Sequence, residues 1–503
     1  MKTHNSTKRM LALLLSTLLL SACGEVENGQ TDTTSSDTTV DTSGTVDTET
    51  VDAGPRLDVP TDSLDGYTFR VLTRDTDHHI KEVYAAELNG EVVNDAVYTR
   101  NMKVEDTFDA KLEAVEITED PESAMSDYFR KTVQAGEDAF DVALMHTVMA
   151  GAMSLEGMAR NWHDIAYVDF SKPWWNSVIA EELDFQGKLY LAASDYCISA
   201  IDYTWAMLYN RAMGETLGLG ELYDTVDEGK WTFDKFSEFA SAAVMDVNGD
   251  GKMDENDRYG YTTHWNSATL NWSFAFDVRY IVKNDEGVPT LLPQSEKMAD
   301  IMTKLYDFYY NGNRTLYMTD QLVSSMGYSS HDLAVAGTFE KNQTLFAALR
   351  IYVIDNLRNM EDPFAIIPFP KYDEAQDGYY THVDGHAPLM ILPKTIQNTD
   401  KAGIIMEALA YYSHEYVVPA VYDIVLQNKY ARDESSAHML DLILDGRVYT
   451  FGYIYDDYKG MQWTIREMLQ NKKEDYASYY ASKLGSAEKQ LQKIIDSYES
   501  MEE

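Results

Sequence analysis

The strongest constraint on the fold is a change of apolar period between Thr68 and Met145. Thr68–Thr73 (TFRVLT) is a short apolar run with strand character, Val93, Val97, Val104 and Phe108 recur at helical spacing, and Lys111–Ile117 is extended again. Asp120 and Pro121 then supply an N-cap and a proline at the first helical position. Met125, Tyr128, Phe129, Thr132 and Val133 form one helical face, Gly136 stops it, and Phe140–Met145 is a third strand. Strands and helices alternating at this pitch predict a parallel sheet with right-handed crossovers, whose ligands sit beyond the carboxyl ends of the strands. Those ends carry Arg74-Asp75 and His146-Thr147.

With 503 residues the chain exceeds what one core needs, so a second lobe is expected. An extended stretch covers Lys188–Asn210, and from Trp231 onward the texture is mostly helical. Thr232 caps a helix with core face Phe236, Phe239, Ala240 and Ala243, and Trp231 is placed to pack on Phe236 as a hydrophobic staple. Asp362–Pro370 and Pro388–Pro393 read as strands, 401–427 and 484–499 as helices. Trp174, Trp175, Trp272 and Tyr280 suit partial core burial at least as well as a ligand.

The N-terminal sixty residues have a different character. Lys2, Lys8 and Arg9 precede Met10–Leu20, a run too short to span a hydrocarbon core of ~30 Å at ~1.5 Å per helical residue and so a secretory segment. Leu20-Ser21-Ala22-Cys23-Gly24 resembles the lipobox of bacterial lipoproteins, which implies that Cys23 is lipidated and becomes the mature N-terminus. From Gly24 to Asp62 ten acidic residues stand against one basic, with no aromatic, a composition that makes 23–62 a self-repelling, disordered tether. Asp+Glu outnumber Lys+Arg by 83 to 41 over the whole chain. Broad phosphate-binding surfaces, and with them nucleic acid, are excluded. Besides Cys23 the chain has only Cys197, so there is no disulfide framework.

Asp246, Asn248, Asp250, Lys252, Asp254 and Asp257 match a calcium loop. The side chains of Asp246, Asn248 and Asp250 stand at positions 1, 3 and 5, Gly251 at 6, the Lys252 carbonyl at 7, Asp254 at 9 and a carboxylate at 12. Structural Ca2+ is the expected cofactor; Asp257 is shorter than the usual glutamate. Zinc-helix, nucleophile-elbow, phosphate-loop and dinucleotide signatures are all absent, so no catalytic residue is assigned. His78 and His79 are kept as ligand-contact candidates, although paired loop histidines more often face solvent.

Lipobox, acidic tether and the alternating lobe together resemble an extracellular solute-binding lipoprotein of an ABC importer, of the sugar-binding, maltose-binding-protein-like kind. The likeness is carried by the order of Asn94-Asp95 through Phe108, Phe140-Asp141-Val142, Gly187-Lys188, Leu208-Tyr209-Asn210, Trp231–Asp234 and Arg432-Asp433-Glu434-Ser435. It implies an α/β, two-lobe, periplasmic-binding-protein-like clamp (type II) with an interlobe cleft. Lobe one would comprise 63–200 and 350–400, lobe two 201–349 and 401–503, with hinges near 200–206 and 345–352. It also implies a lipid-anchored monomer on the extracellular face of the membrane that captures a carbohydrate and passes it to ABC permease subunits without chemistry. Placement at lobe edges nominates Asp75, His146, Asp195, Tyr203, Trp205, Trp265, Asp277, Arg350 and Tyr352 as ligand-binding residues. Replacing Trp205 or Trp265 by alanine is expected to reduce affinity and spare folding. Two other readings stand beside this one: a secreted carbohydrate-active hydrolase, and a sensory binding lipoprotein serving a receptor kinase.

Overall fold

A computed structural model describes residues 54–118, 121–427, 434–455 and 460–501. The signal segment 1–22, Cys23, the tether as far as Ala53, Asp120 and Arg432-Asp433 lie outside the described residues. From Pro55 on, the chain forms one compact unit. Its main strands are, in chain order, β1 (Tyr67–Arg74), β2 (Ala110–Ile117), β3 (Val142–His146), β4 (Leu191–Ala192), β5 (Trp205–Asn210), β6 (Tyr259–His264), β7 (Thr315–Met318), β8 (Thr344–Arg350), β9 (Phe364–Ile367) and β10 (Pro388–Ile391). They build two five-stranded sheets, in the orders β2-β1-β3-β10-β4 and β9-β5-β8-β6-β7.

The connections explain where a ligand can sit. In the first sheet β1, β2 and β3 are parallel and β10 runs against β3 and β4. The chain goes from β1 outward to β2 and then back past β1 to β3. In the second sheet β6, β7 and β8 are parallel, β5 is antiparallel to β8 and β9, and the chain goes from β6 outward to β7 and back past β6 to β8. Each sheet thus has a switch point where successive crossovers leave in opposite directions and open a crevice beyond the strand ends. The residues at those two crevices are Arg74 and His146 in one sheet, His264 and Arg350 in the other.

Local chemistry sets the helices that follow. Helix α1 (Asp77–Val83) forms directly after β1. Helix α2 (Val92–Phe108) starts where the Glu91 carboxylate accepts from the Asn94 N–H at 2.7 Å, buries Val93, Val97, Val104 and Phe108, and ends at Asp109 in the left-handed region. Helix α3 (Pro121–Ala135) ends at Gly136, φ +74°. Helix α4 (Thr147–Leu155) follows β3 and α5 (Ser199–Asp202) precedes β5. Helix α6 (Phe233–Ala243) is capped by Thr232, whose hydroxyl accepts from the Lys235 N–H, and Trp231 packs edge-on against Phe236 at 6.1 Å. Both rings are fully buried, each contributing ~1.5–3 kcal/mol or more of transfer free energy. Helices α7 (Ser267–Ala275), α8 (His331–Glu340) and α9 (Thr399–Tyr412) pack around the sheets, and α10 (Tyr476–Ser500) closes the chain.

Three apolar cores result. One surrounds the first sheet, and two cover opposite faces of the second. Helix α10 belongs to two of them: Tyr476, Tyr479 and Tyr480 sit in a core of the second sheet, Leu491, Ile494 and Tyr498 in that of the first. Trp174, Trp175, Trp272 and Tyr280 are core residues throughout. Among the described residues no helix is long and apolar enough to cross a membrane.

The expected lobe limits need correction. Residues 350–367 stay in the second sheet, because β9 pairs with β5, so 345–352 is not a crossing. The return to the first sheet runs through Thr381–Ala387, beside the first crossing: Thr204 bridges Val383, and the Asp384 N–H donates to the Tyr203 carbonyl at 3.0 Å. Ala402–Ala410 of α9 join the first core, not the second, since their apolar face has the first sheet to cover.

Candidate functional site between the sheets

Arg350, the last residue of β8, lies opposite Trp205, the first of β5, in the antiparallel register. That pairing brings a guanidinium and an indole to one spot, and the crossings add the rest. The Arg350 guanidinium carbon sits 5.1 Å from the Tyr352 ring, 5.4 Å from Tyr203 and 5.6 Å from Trp205. Its nitrogens pair with Asp332 of α8 and, at 3.6 Å, with Asp384 of the second crossing. Burial works against these charges, yet Arg350 and His264 hold the Asp332 carboxyl well below the usual range, and Arg350 and His386 do the same for Asp384. Although burial opposes it, the Arg350 charge is held in turn by Asp384 and Asp332.

The first sheet supplies the facing wall. Arg74, at the end of β1, donates to the His386 carbonyl and meets His79. Tyr203 is stacked between His79 and His386 at 5.5 and 5.6 Å. His386 Nδ1 lies 2.6 Å from Asp384, and the ring meets His146 edge-on at 5.1 Å. Gly385 makes that approach possible: a Cβ there would stand 2.6 Å from the His146 ring and from the Tyr453 hydroxyl. Further along, His382 is stacked on Phe274 at 4.2 Å and meets Tyr453 at 4.6 Å, Tyr453 packs on Trp463, and Arg466 lies over Trp463 at 4.2 Å and donates to Asn266. Burial, with Arg74 adding to it, pushes His79 down to about 2, and burial pushes His382 down to about 4, so both rings are neutral. A cavity of about 200 Å3 opens beside Tyr352, bounded by Lys81, Ile198, Asp202 and Ile354.

Several buried polar atoms in this region have no hydrogen-bond partner among the described residues. They include the Trp205 indole N–H, Arg350 Nε, Asn271 Nδ2, His264 Nε2, both His382 ring nitrogens and one oxygen each of Asp332 and Asp384. Such atoms each cost ~1–3 kcal/mol when left unmet, so their concentration in one place marks a surface built to be completed by something else.

Tyr203, Trp205, Arg350 and Tyr352 therefore come together as expected, and His146 joins them through His386. Of the other four nominees, three lie elsewhere and Trp265 lies at the edge of the site. Asp75 is exposed, because neighbours along a strand point to opposite faces and Arg74 takes the inward place. Asp195 pairs with His414 at 2.6 Å, beside Trp174. Asp277 is in the left-handed region and pairs with Arg279. Trp265 stands at the edge, donating to Asp320 at 2.9 Å and contacting His331, which neighbours His264. His78 and His79 are in α1, not a loop, and His79 is buried at 2% exposure. Asp332, Asp384 and His386 escaped the sequence reading, although the alternation His382-Val-Asp384-Gly-His386 between two apolar runs was a usable signal. Trp205 is fully buried, so its replacement by alanine removes core packing as well as a ring from the site. The expectation that folding is spared is corrected.

The acidic loop at 246–257 satisfies itself. Asp246 accepts from the N–H groups of Gly249 and Gly251, Asp250 from Lys252, and the buried Asp257 from Val247 and Asp254 at 2.9 Å each. Among the described residues no three His, Cys, Asp or Glu side chains converge to hold a metal ion.

No protein-family model and no curated protein matches the chain. Solved structures do. An ABC substrate-binding protein of Listeria monocytogenes, in complex with cycloalternan, aligns with a TM-score of 0.51 at 12% identity over 87% of this chain and 99% of its own. A sugar transporter of Rhizobium etli in an open conformation gives 0.54 at 13% identity over 87% and 100%. An ABC transporter solute-binding protein of Thermotoga lettingae, bound with α-D-tagatose, gives 0.51 at 13% over 85% and 100%. At these identities the likeness is one of architecture: this chain has the two-lobed α/β fold of ABC-transporter solute-binding proteins.

Proposed function

We propose that the protein is the substrate-binding component of an ABC importer, that it captures a carbohydrate between its two sheets and that it delivers it unaltered to the permease. The observation that carries this reading is the cluster at the paired switch points, where Tyr203, Trp205 and Tyr352 surround Arg350 and unmet polar atoms accumulate. Sugars are held by stacking apolar C–H faces on rings while polar side chains take the hydroxyls, and this cluster has both. Binding without bond cleavage is supported by its two carboxylates. Asp332 and Asp384 are both held ionised, whereas glycoside hydrolysis needs one carboxyl kept protonated as general acid.

Lipidation at Cys23 and a place on the outer face of the membrane complete the proposal, on the strength of Leu20–Gly24 and the acidic tether. Calcium binding at 246–257 is proposed on ligand spacing alone; Asp246, Asn248, Asp250 and Asp257 would supply the side-chain oxygens and Lys252 a carbonyl. The test of the main reading is a thermal-shift and calorimetric screen of mono- and oligosaccharides against the full-length protein. A sugar that raises the melting temperature and is recovered intact is expected. Cleavage of a glycan, or no response to any sugar, overturns it.

A further inference from the structure

We infer that Glu82 is a positioning residue for the binding site: its buried carboxylate ties the first crossing to helix α1, holds Tyr203 in place beside Arg350, and slackens that hold on taking up a proton. This inference rests on the binding reading above and adds to it a residue and a dependence on pH.

Helix α1 is the fixed side of the joint. Its last two carbonyls, those of Glu82 and Val83, accept from Arg100 and Asn101 of α2 at 2.7 and 2.9 Å. Helix α5, on the first crossing, is the side that is held. At its start the Ser199 N–H and hydroxyl both donate to Glu82 Oε2, at 3.0 and 2.7 Å. At its end Asp202 pairs with Lys81 at 2.8 Å and meets His78 at 3.4 Å. Two further bonds carry the grip into the site. The Tyr203 N–H donates to the Ser199 carbonyl at 2.9 Å, and the Tyr203 carbonyl accepts from the Asp384 N–H on the second crossing. Glu82 therefore acts on the ring cluster through Ser199, without touching a guest.

The carboxylate is fully buried, and its other oxygen, Oε1, has no hydrogen-bond partner among the described residues. Around it stand Arg74 of β1, Lys81 of its own helix, Arg100 of α2, Tyr196 and Cys197 just before α5, and Asp202. Burial pushes Tyr196 and Cys197 up, so both stay neutral, while Arg100, pushed down to about 10 by burial, keeps its charge at pH 7. Burial pushes Glu82 itself up to about 7, against the pull of Ser199 and Arg74. Ionised, it accepts two charge-assisted bonds from Ser199. Protonated, it needs an acceptor, and the Ser199 hydroxyl is at hand; using it reverses that bond and leaves the Ser199 N–H with a neutral, weaker one. Proton uptake favours the fold, since the buried carboxyl binds its proton more tightly than an unfolded one. A fall in affinity through this group is thus a change in the joint and not a loss of structure.

The test compares the full-length protein with its Glu82→Gln and Glu82→Asp variants at about pH 8 and about pH 6. Two quantities are read: hydrogen-exchange protection of the 199–204 amides, corrected for the intrinsic pH dependence of exchange, and calorimetric affinity for maltotriose and cycloalternan. In the unaltered protein both are expected to fall by about fivefold on acidification. Glu82→Gln, which keeps the shape and removes the charge, is expected to show the low values at both pH values, and Glu82→Asp to regain part of the pH step. A step of equal size in Glu82→Gln assigns it to other groups and overturns the inference, with the binding reading left standing. So does protection that is flat with pH in the unaltered protein, a result that needs no variant to fold. Exchange that follows Glu82 while neither probe nor any sugar of the wider screen binds supports the joint and defeats the binding reading.

Discussion

Two polar clusters in this molecule were built in opposite ways. The loop at 246–257 gathers its charged residues within twelve positions, and its backbone N–H groups answer the carboxylates on the spot. The cluster around Arg350 draws on residues 74, 79, 203, 205, 332, 350, 384 and 386, far apart in sequence, and leaves buried donors and acceptors unmet. A motif compact in sequence can be complete in itself; a site assembled across two sheets has a gap at its centre. That contrast separates a loop whose carboxylates are met by its own backbone from a cleft whose buried polar atoms are not.

The contrast breaks most visibly at Arg350. Arg350→Ala leaves Asp332 and Asp384 as buried carboxylates without their main counter-charge and is expected to cost about 3–5 kcal/mol in chemical denaturation. A loss under about 1 kcal/mol would mean that the pair is hydrated and the cleft more open than described. Acidification comes next. Burial lowers His79 and His382 below their usual 6.5, so the unfolded chain takes up their protons first. Stability is expected to fall as pH drops from about 6.5 toward 4, by roughly 1.4 kcal/mol per pH unit for each ring. Asp332 and Asp384, lowered as well, stabilise the fold above about 4 and lose that contribution only at still lower pH. A flat melting temperature from pH 6.5 to 4.5 would place both histidines in water.

On the other side of the comparison, Asp257→Ala strands the N–H groups of Val247 and Asp254 and is expected to cost about 1–3 kcal/mol with ligand affinity unchanged. Weakened sugar binding in this variant would couple the loop to the cleft and erase the distinction drawn here. The smallest effect on stability is expected for Trp265→Ala at the cleft edge, within about 0.5–1 kcal/mol, accompanied by weaker sugar binding in calorimetry. Unaltered affinity would remove Trp265 from the site.

Sequence periodicity revealed the first sheet nearly residue for residue, because β1, α2, β2 and β3 are local elements with strong apolar patterns. It also led to Tyr203, Trp205, Arg350 and Tyr352, which flank strand ends. It pointed to Asp75 in place of Arg74 because the face of a strand's last residue depends on register, which one strand alone does not reveal. It placed the second crossing at 345–352 because β8 and β9 look alike whether they lie in one sheet or two; only the pairing of β9 with β5 decides. Asp332 carries no local mark, since its role arises from a guanidinium that arrives from another strand; Asp384 stands in the His382-Val-Asp384-Gly-His386 alternation, but nothing local ties that alternation to Arg350.

Helix α10 has a bearing on how the sheets can move. Its 25 residues form a rod of ~37 Å, fastened near one end by Tyr476, Tyr479 and Tyr480 and near the other by Leu491, Ile494 and Tyr498. A brace pinned at both ends sets a maximum gape: the halves can swivel about it, but wide separation demands that one set of tyrosines or leucines be pulled from its socket. Relative movement of the two halves is thereby biased toward twisting over gaping.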